Sequence, residues 1–316
     1  MMLVLRLRKV WDELFRPVES ELLGWFRALF CSAVACEVFL DREFFGDKQA
    51  SGFCAKLEMF EFFHLPAVSA GVYQMLALSL VAALLLSALG ILGRLPLFVS
   101  VVLFGYVVGI AVGCDRGVEN TYTAWNHAIV WQNLLILAVA PGVNRWNLFS
   151  WIGRPIVLIC GPRWPVELLK FNLVFAYFAG GVAKVRGGLE WMNGYTLQYH
   201  LLDRHLSLDL PLAFSFASSW WLCFFASVAM VILELTCLIV FFVPRLTAFY
   251  VGTFFALQIF WMFFMKLHWM KYFGWSYLIY ALELGLFAIA FWRRRASGAR
   301  EDRPFDRRSS EAPKEN

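Results

Sequence analysis

The chain has 316 residues, of which 60% are hydrophobic and 16% charged, and its formal net charge is +5. Soluble domains carry about a quarter charged residues. With a mean hydropathy of +0.64, this composition excludes an ordinary soluble protein and predicts an all-α integral membrane protein whose main partner is the lipid bilayer. The basic excess does not imply nucleic acid, because much of it flanks apolar stretches, where positive charge sets orientation.

Residues 1–20 lack the uninterrupted apolar core of a cleavable signal. Leu3, Val4, Leu7, Val10, Trp11, Leu14 and Phe15 share one helical face, and Arg6, Arg8, Lys9, Asp12, Glu13 and Arg16 the other. That pattern predicts an amphipathic helix on the membrane surface over 1–20. A membrane domain follows over 21–292. A span needs about 20 apolar residues, and eight are read at roughly 22–40, 67–91, 95–113, 121–141, 166–185, 219–243, 247–265 and 272–292. With both termini cytoplasmic, the Arg94 turn, the loop with Arg145, Arg154 and Arg163, and the Arg245 turn fall on the inner side, as the positive-inside rule requires. Residues 293–316 are rich in Arg, Glu, Ser and Pro and read as a disordered, charged cytoplasmic tail.

Seven cysteines form no Cys-x-x-Cys or paired Cys/His motif. Cys31, Cys36, Cys223 and Cys237 lie in apolar spans and are expected to be buried thiols. Cys54 and Cys114 fall in outer loops, where a disulfide is conceivable on an oxidising side.

Charges inside the spans are costly and face a protein interior or a cavity. Lys184 closes the run Ala179-Gly-Gly-Val-Ala-Lys184. Either it snorkels to the surface, or a poorly solvating pocket lets it act as a base. Asn172, Ala176, Gly180 and Lys184 share a face, with Tyr177 close to the same stripe. The small residues around them invite a close helix neighbour or leave room for a flat ligand. Trp125, Asn126 and His127 lie at the outer end of span 4, the depth expected for Lys184. Glu234 lies mid-span, where a carboxylate is protonated or paired. The segment 186–218 holds Trp191, Tyr195 and Tyr199, which suit an interfacial aromatic belt. His200, Asp203 and His205 match no strong zinc spacing, so no metal site is expected.

Ala179-Gly-Gly-Val-Ala-Lys184 followed by Trp191-Met-Asn-Gly-Tyr-Thr-Leu-Gln-Tyr199 resembles the membrane domain of vitamin K-dependent gamma-carboxylase and its bacterial relatives, the horizontally transferred transmembrane (HTTM) group. Trp125-Asn-His127 is similar to the family's Trp-Asn-Asn-His stretch, one residue shorter. Ile232-Leu-Glu234 resembles its acidic residue in a later span. The resemblance implies an HTTM-like bundle, with Lys184 as the base that deprotonates a reduced, vitamin K-like quinone and His127 beside it in the chemistry. It implies substrate contacts from Asn126 and, around it, Trp125, Tyr177, Trp191, Tyr195 and Glu234. Two departures stand out. A short charged tail occupies the place of the carboxylase's lumenal domain, so carboxylation of a propeptide-bearing protein is not expected. Phe260-Trp261 stands where the family often has Phe-His.

Two functions are therefore expected to compete. One is a membrane enzyme acting on a quinone-like or other lipophilic small molecule. The other is a non-enzymatic, SdpB-like membrane protein that assists maturation or export of a secreted peptide or protein, with Lys184, Asn126 and His127 as structural glue. A bacterial inner (cell) membrane is the expected location. A transporter ranks below both, since neither repeated halves nor broken helices are evident.

Overall fold

The computed structural model describes residues 17–19, 21–50, 68–114, 120–141, 160–265 and 273–285 with a few isolated positions, and stretches such as 43–50, 110–114 and 120–126 by backbone alone. The expected surface helix over 1–20 falls mostly outside the described residues. Within it, Pro17–Glu19 form an extended strand, β1.

Helix α1 (Glu21–Ala50) is 30 residues long, or about 45 Å at 1.5 Å per residue. It continues through Asp41 and Arg42, where the hydropathy pattern predicts a loop, and so outruns a hydrocarbon layer of about 30 Å. Helices α2 (Ala70–Leu89) and α3 (Leu95–Cys114) follow as a hairpin. Gly90 takes the left-handed conformation (φ 70°) that closes the end of α2, and the backbone N–H of Ile91 reaches back to the Leu86 carbonyl at 3.0 Å. Helix α4 (Asn120–Val139) precedes strand β2 (Cys160–Pro162) and helix α5 (Trp164–Arg186), which has Pro165 in its first turn.

A short 3-10 turn (Leu189–Met192) leads to α6 (Tyr195–Leu208) and α7 (Pro211–Ala217). Helix α8 (Trp220–Thr236) starts at Ser219, whose hydroxyl accepts from the Leu222 N–H at 3.5 Å. After Thr236 it tightens into a 3-10 segment, Cys237–Phe241. Helix α9 (Thr247–Met265) follows the Pro244–Leu246 turn. Phe273–Tyr277 then form a 3-10 turn, and residues 278–285 are helical.

Among the described residues, five stretches are long and apolar enough to cross a membrane: Leu22–Arg42, Ala70–Leu89, Trp164–Arg186, Trp220–Phe241 and Pro244–Phe264. Leu95–Gly109 and His127–Val139 are shorter apolar helices. The chain is thus a helical, multi-pass membrane protein, and its β content among the described residues is one two-stranded ribbon in which Val18 faces Gly161. Large apolar side chains point outward, as in Val102 (71% exposed) and Met75 (66% exposed), which suits lipid rather than water.

The ends of the bundle can be matched. Arg94 donates to the Ala140 carbonyl at 3.1 Å, and a Cβ on Gly161 would lie 3.4 Å from the Pro141 carbonyl oxygen. The β1–β2 ribbon ties the start of α1 to the start of α5. The beginning of α1, the α2–α3 turn, the end of α4 and the beginning of α5 therefore gather at one end, so α4 and α5 run antiparallel. Two apolar clusters fill the interior. The larger includes Phe26, Phe30, Leu84, Phe104 and Leu137; the smaller includes Leu197, Leu201, Cys223, Met230 and Trp261.

Candidate functional site

Lys184 does not snorkel. Its Nζ lies 2.6 Å from both carboxylate oxygens of Glu234, across the α5–α8 contact. The Glu234 side chain is 8% exposed and that of Lys184 16%, so each charge meets its partner instead of lipid, as an intramembrane charge must.

Close approach of the two helices makes this geometry available. A Cβ on Gly181 would sit 2.8 Å from Glu234 Cβ and 3.1 Å from the Leu235 N. Only glycine fits there. Gly180 is less constrained: a Cβ added to it would lie 3.9 Å from Glu234 Oε2 and 4.0 Å from Lys184 Nζ. The small-residue stretch of α5 is therefore a helix contact. Directly after Glu234 the Cys237 thiol donates to the Glu234 carbonyl (2.9 Å) and lies 3.4 Å from that of Val174, which fastens the tightened end of α8 to α5.

Trp191 comes back over the pair, its ring 5.5 Å from Lys184 Nζ, within cation–π range. It stacks on His200 at 5.7 Å and packs against the smaller apolar cluster. Burial holds the His200 imidazole below its usual range; Asp203 opposes this and Arg204 reinforces it. Gly194 (φ 80°) lets the chain pass Phe224, whose backbone a Cβ would meet at 2.7 Å. Asn193 then fixes both sides of the turn: its side chain accepts from the Tyr195 N–H (2.9 Å), and its carbonyl from the Trp220 indole (3.1 Å). Trp191, Asn193 and Gly194 thus lock the loop against α8, while Tyr195 and Tyr199 stay exposed.

A cavity of about 250 Å³ opens beside this corner, lined by Leu197, Ala226, Met230, Leu257, Phe260 and Trp261 among others. Ala226, Met230 and Glu234 are spaced by four on α8 and share one face. The ion pair and the apolar cavity are therefore neighbours on one helix. Trp261, in the position where the resemblance puts a histidine, lines the cavity.

Other expected site residues have partners of their own. Tyr177 bonds to Tyr277 and accepts from Gln258 Nε2 at 2.6 Å, with its ring stacked on Phe254 at 3.9 Å. It joins α5 to α9 and to the 273–277 turn. His127 is buried and packs on Phe104 of α3 at 6.2 Å. The side chains of Trp125 and Asn126 are outside the described residues. A second polar chain gives the register: Asn172 donates to Asn133 (2.8 Å) and Asn133 to Ser276 (2.9 Å). From that level His127 is six residues along α4 and Lys184 twelve along α5, about 9 and 18 Å of rise. The Lys184 amine reaches back to within 4.0 Å of a Cβ placed on Gly180, eight residues along α5 from Asn172.

What the sequence hides is the partners rather than the charges. Lys184 and Glu234 are each recognisable as costly, and the rule that buried charges pair is the available signal. Tyr277, Gln258 and the close contact at Gly181 carry no such signal. Among the described residues no group of three or more His, Cys, Asp or Glu is placed to hold a metal. The His205 ring nitrogen Nδ1 instead faces the Leu210 carbonyl at 3.1 Å. Cys36 is exposed, unlike the buried Cys31, Cys223 and Cys237, and the Cys54–Cys114 pair lies outside the described side chains.

A family model for the HTTM domain matches residues 15–292. The chain belongs to the HTTM domain family. No curated protein and no solved structure matches it. The HTTM match spans the ion pair, the Trp191 loop and the cavity, so all three belong to the domain itself.

Proposed function

We propose that this HTTM protein is a membrane enzyme that binds a lipophilic, quinone-like molecule at the α5–α8 corner, with Lys184 as the base. One arrangement carries the reading. The Lys184 amine lies 2.6 Å from Glu234 and 5.5 Å from the Trp191 ring, while Met230, one turn before Glu234, lines an apolar cavity. An amphiphile would set its polar group at the pair and its apolar part in the cavity. The cavity of about 250 Å³ approaches the lower end of ligand-pocket sizes and would take a ring or a short tail. The catalytic part of the reading rests on the resemblance to the carboxylase membrane domain.

The pair suits proton transfer. A lysine and a glutamate that share a proton can exist as two ions or as an amine beside a carboxylic acid. In the second form the amine takes the proton of a substrate hydroxyl: the O–H bond breaks, an N–H bond forms, and an ammonium faces the new oxyanion. A charge poised beside a developing charge stabilises it in a site that excludes water. Of the two side chains expected to do chemistry, this reading puts the base at Lys184, the one paired with Glu234 at this corner. The cytoplasmic placement of both termini and the bacterial cell membrane are part of the same proposal.

The test is extraction from native membrane followed by mass spectrometry of the bound lipophiles. A specific quinone-like molecule is expected. Lys184→Ala and Lys184→Arg should both abolish turnover of that molecule, since arginine cannot become neutral. Absence of any specific lipophile, or full turnover by Lys184→Arg, overturns the reading. A second reading has its own observation. Tyr195, Tyr199, Trp221 and Phe225 are exposed at the Lys184 end, an aromatic collar suited to a secreted peptide or protein that the HTTM protein helps to mature. Photocrosslinking from Tyr199 distinguishes the two, a peptide adduct favouring the second.

A further inference from the structure

Gln132 is exposed on α4, one residue before Asn133, which turns inward to Ser276 and Asn172. The same outward surface carries Leu135, Leu168, Phe171 and Phe175, each exposed. Together with Ile136 and Asn172 these residues line a groove of about 270 Å³ between α4 and α5. Gln132 is at the level of the Asn133–Asn172 bond, and Asn172 is eight residues from the Trp164 end of α5 and fourteen from its Arg186 end. A primary amide there faces hydrocarbon, where an N–H or C=O without a partner is costly.

We infer that this face is an interface between two copies of the chain, closed by reciprocal hydrogen bonds between the two Gln132 amides. The amide carries both a donor and an acceptor, so it is its own complement across a two-fold axis. A two-fold contact places the same patch on both sides. A groove beside the glutamine then receives an apolar side chain from the other copy, and the glutamine amide loses its exposure to lipid. Asn172, on the groove floor, already gives its amide to Asn133 and to the Ile129 carbonyl. Its bonds hold α4 and α5 in register, which keeps the groove shape fixed.

The experiment uses the full chain with a fluorescent protein fused to its C-terminus, reconstituted into phosphatidylcholine/phosphatidylglycerol vesicles at high dilution, and counts photobleaching steps. Wild type should bleach mainly in two steps. Gln132→Leu should bleach mainly in one, its dissociation constant raised about tenfold by the lost interhelical bonds. Leu135→Trp, which fills the groove without touching the amide, should do the same. If one variant fails to fold, the other decides. Single-step bleaching of wild type as protein density rises overturns the inference and leaves the face to lipid or another protein. Two-step bleaching by both folded variants also overturns it.

Discussion

Lys184 and Glu234, fifty residues apart in the chain, form one two-oxygen ion pair because Gly181 lets α8 pass within backbone contact of α5. The pair is the charged feature around which the Lys184 end is organised. Removing one partner strands the other in a poorly solvated place. Lys184→Met alone or Glu234→Leu alone should lower stability in detergent by about 3–5 kcal/mol, and the double variant should regain most of that. Thermal unfolding of the three variants checks this, and independent, additive losses would argue against coupling.

The two glycines of α5 should behave differently. Gly181→Ala puts a methyl group 2.8 Å from Glu234 Cβ and should cost about 1–3 kcal/mol through overpacking. Gly180→Ala meets ordinary contact distances and should be near neutral or stabilising. Parallel melting curves of the two variants measure the contrast.

Asn133 and Asn172 act as a unit with Ser276. Interhelical bonds in membranes average about 0.6 kcal/mol each, so Asn172→Ala should cost about 1 kcal/mol or slightly more. Asn133→Ala added to it should cost only the remaining Ser276 bond, about 0.6 kcal/mol, because the shared bond is already gone. A double-mutant cycle on thermal stability reads the coupling.

His200 predicts a pH response. Burial holds its imidazole below the usual value of 6.5, so the unfolded chain binds the proton more readily than the folded one. Stability contributed by neutral His200 is therefore present above about 6.5 and falls as pH drops below it. Melting temperature between pH 7.5 and pH 5 should decline more in wild type than in His200→Gln. Identical slopes would show that the stack on Trp191 does not govern the response.

Much of the fold is legible in the sequence because apolar length is a strong signal. Residues 70–89 and 164–186 stand close to where hydropathy puts spans, while the polar residues of α5 find partners on different neighbours, Asn172 on α4 and Lys184 on α8. Glu234 and Lys184 are each recognisable as expensive, but composition and spacing cannot join them, since a contact across fifty residues depends on which helices pack. The Asn133–Asn172 bond sets the register of α4 against α5, and no periodicity encodes it. Tyr177 lies near the lysine stripe, but nothing in the sequence joins its ring to Phe254 or its hydroxyl to Tyr277. The start of the chain reads as one helix to residue 20, while Pro17, which has no N–H to continue a helical ladder, begins a strand.

The most direct test is the amount of lipophile that co-purifies with wild type, Lys184→Ala and Ala226→Phe, extracted side by side and shown to be folded. Lys184→Ala removes the polar anchor and Ala226→Phe fills the cavity. The account predicts a specific bound molecule in wild type and about tenfold less in each variant, the loss that about 1.4 kcal/mol of binding energy produces. Equal occupancy in all three proteins would contradict it.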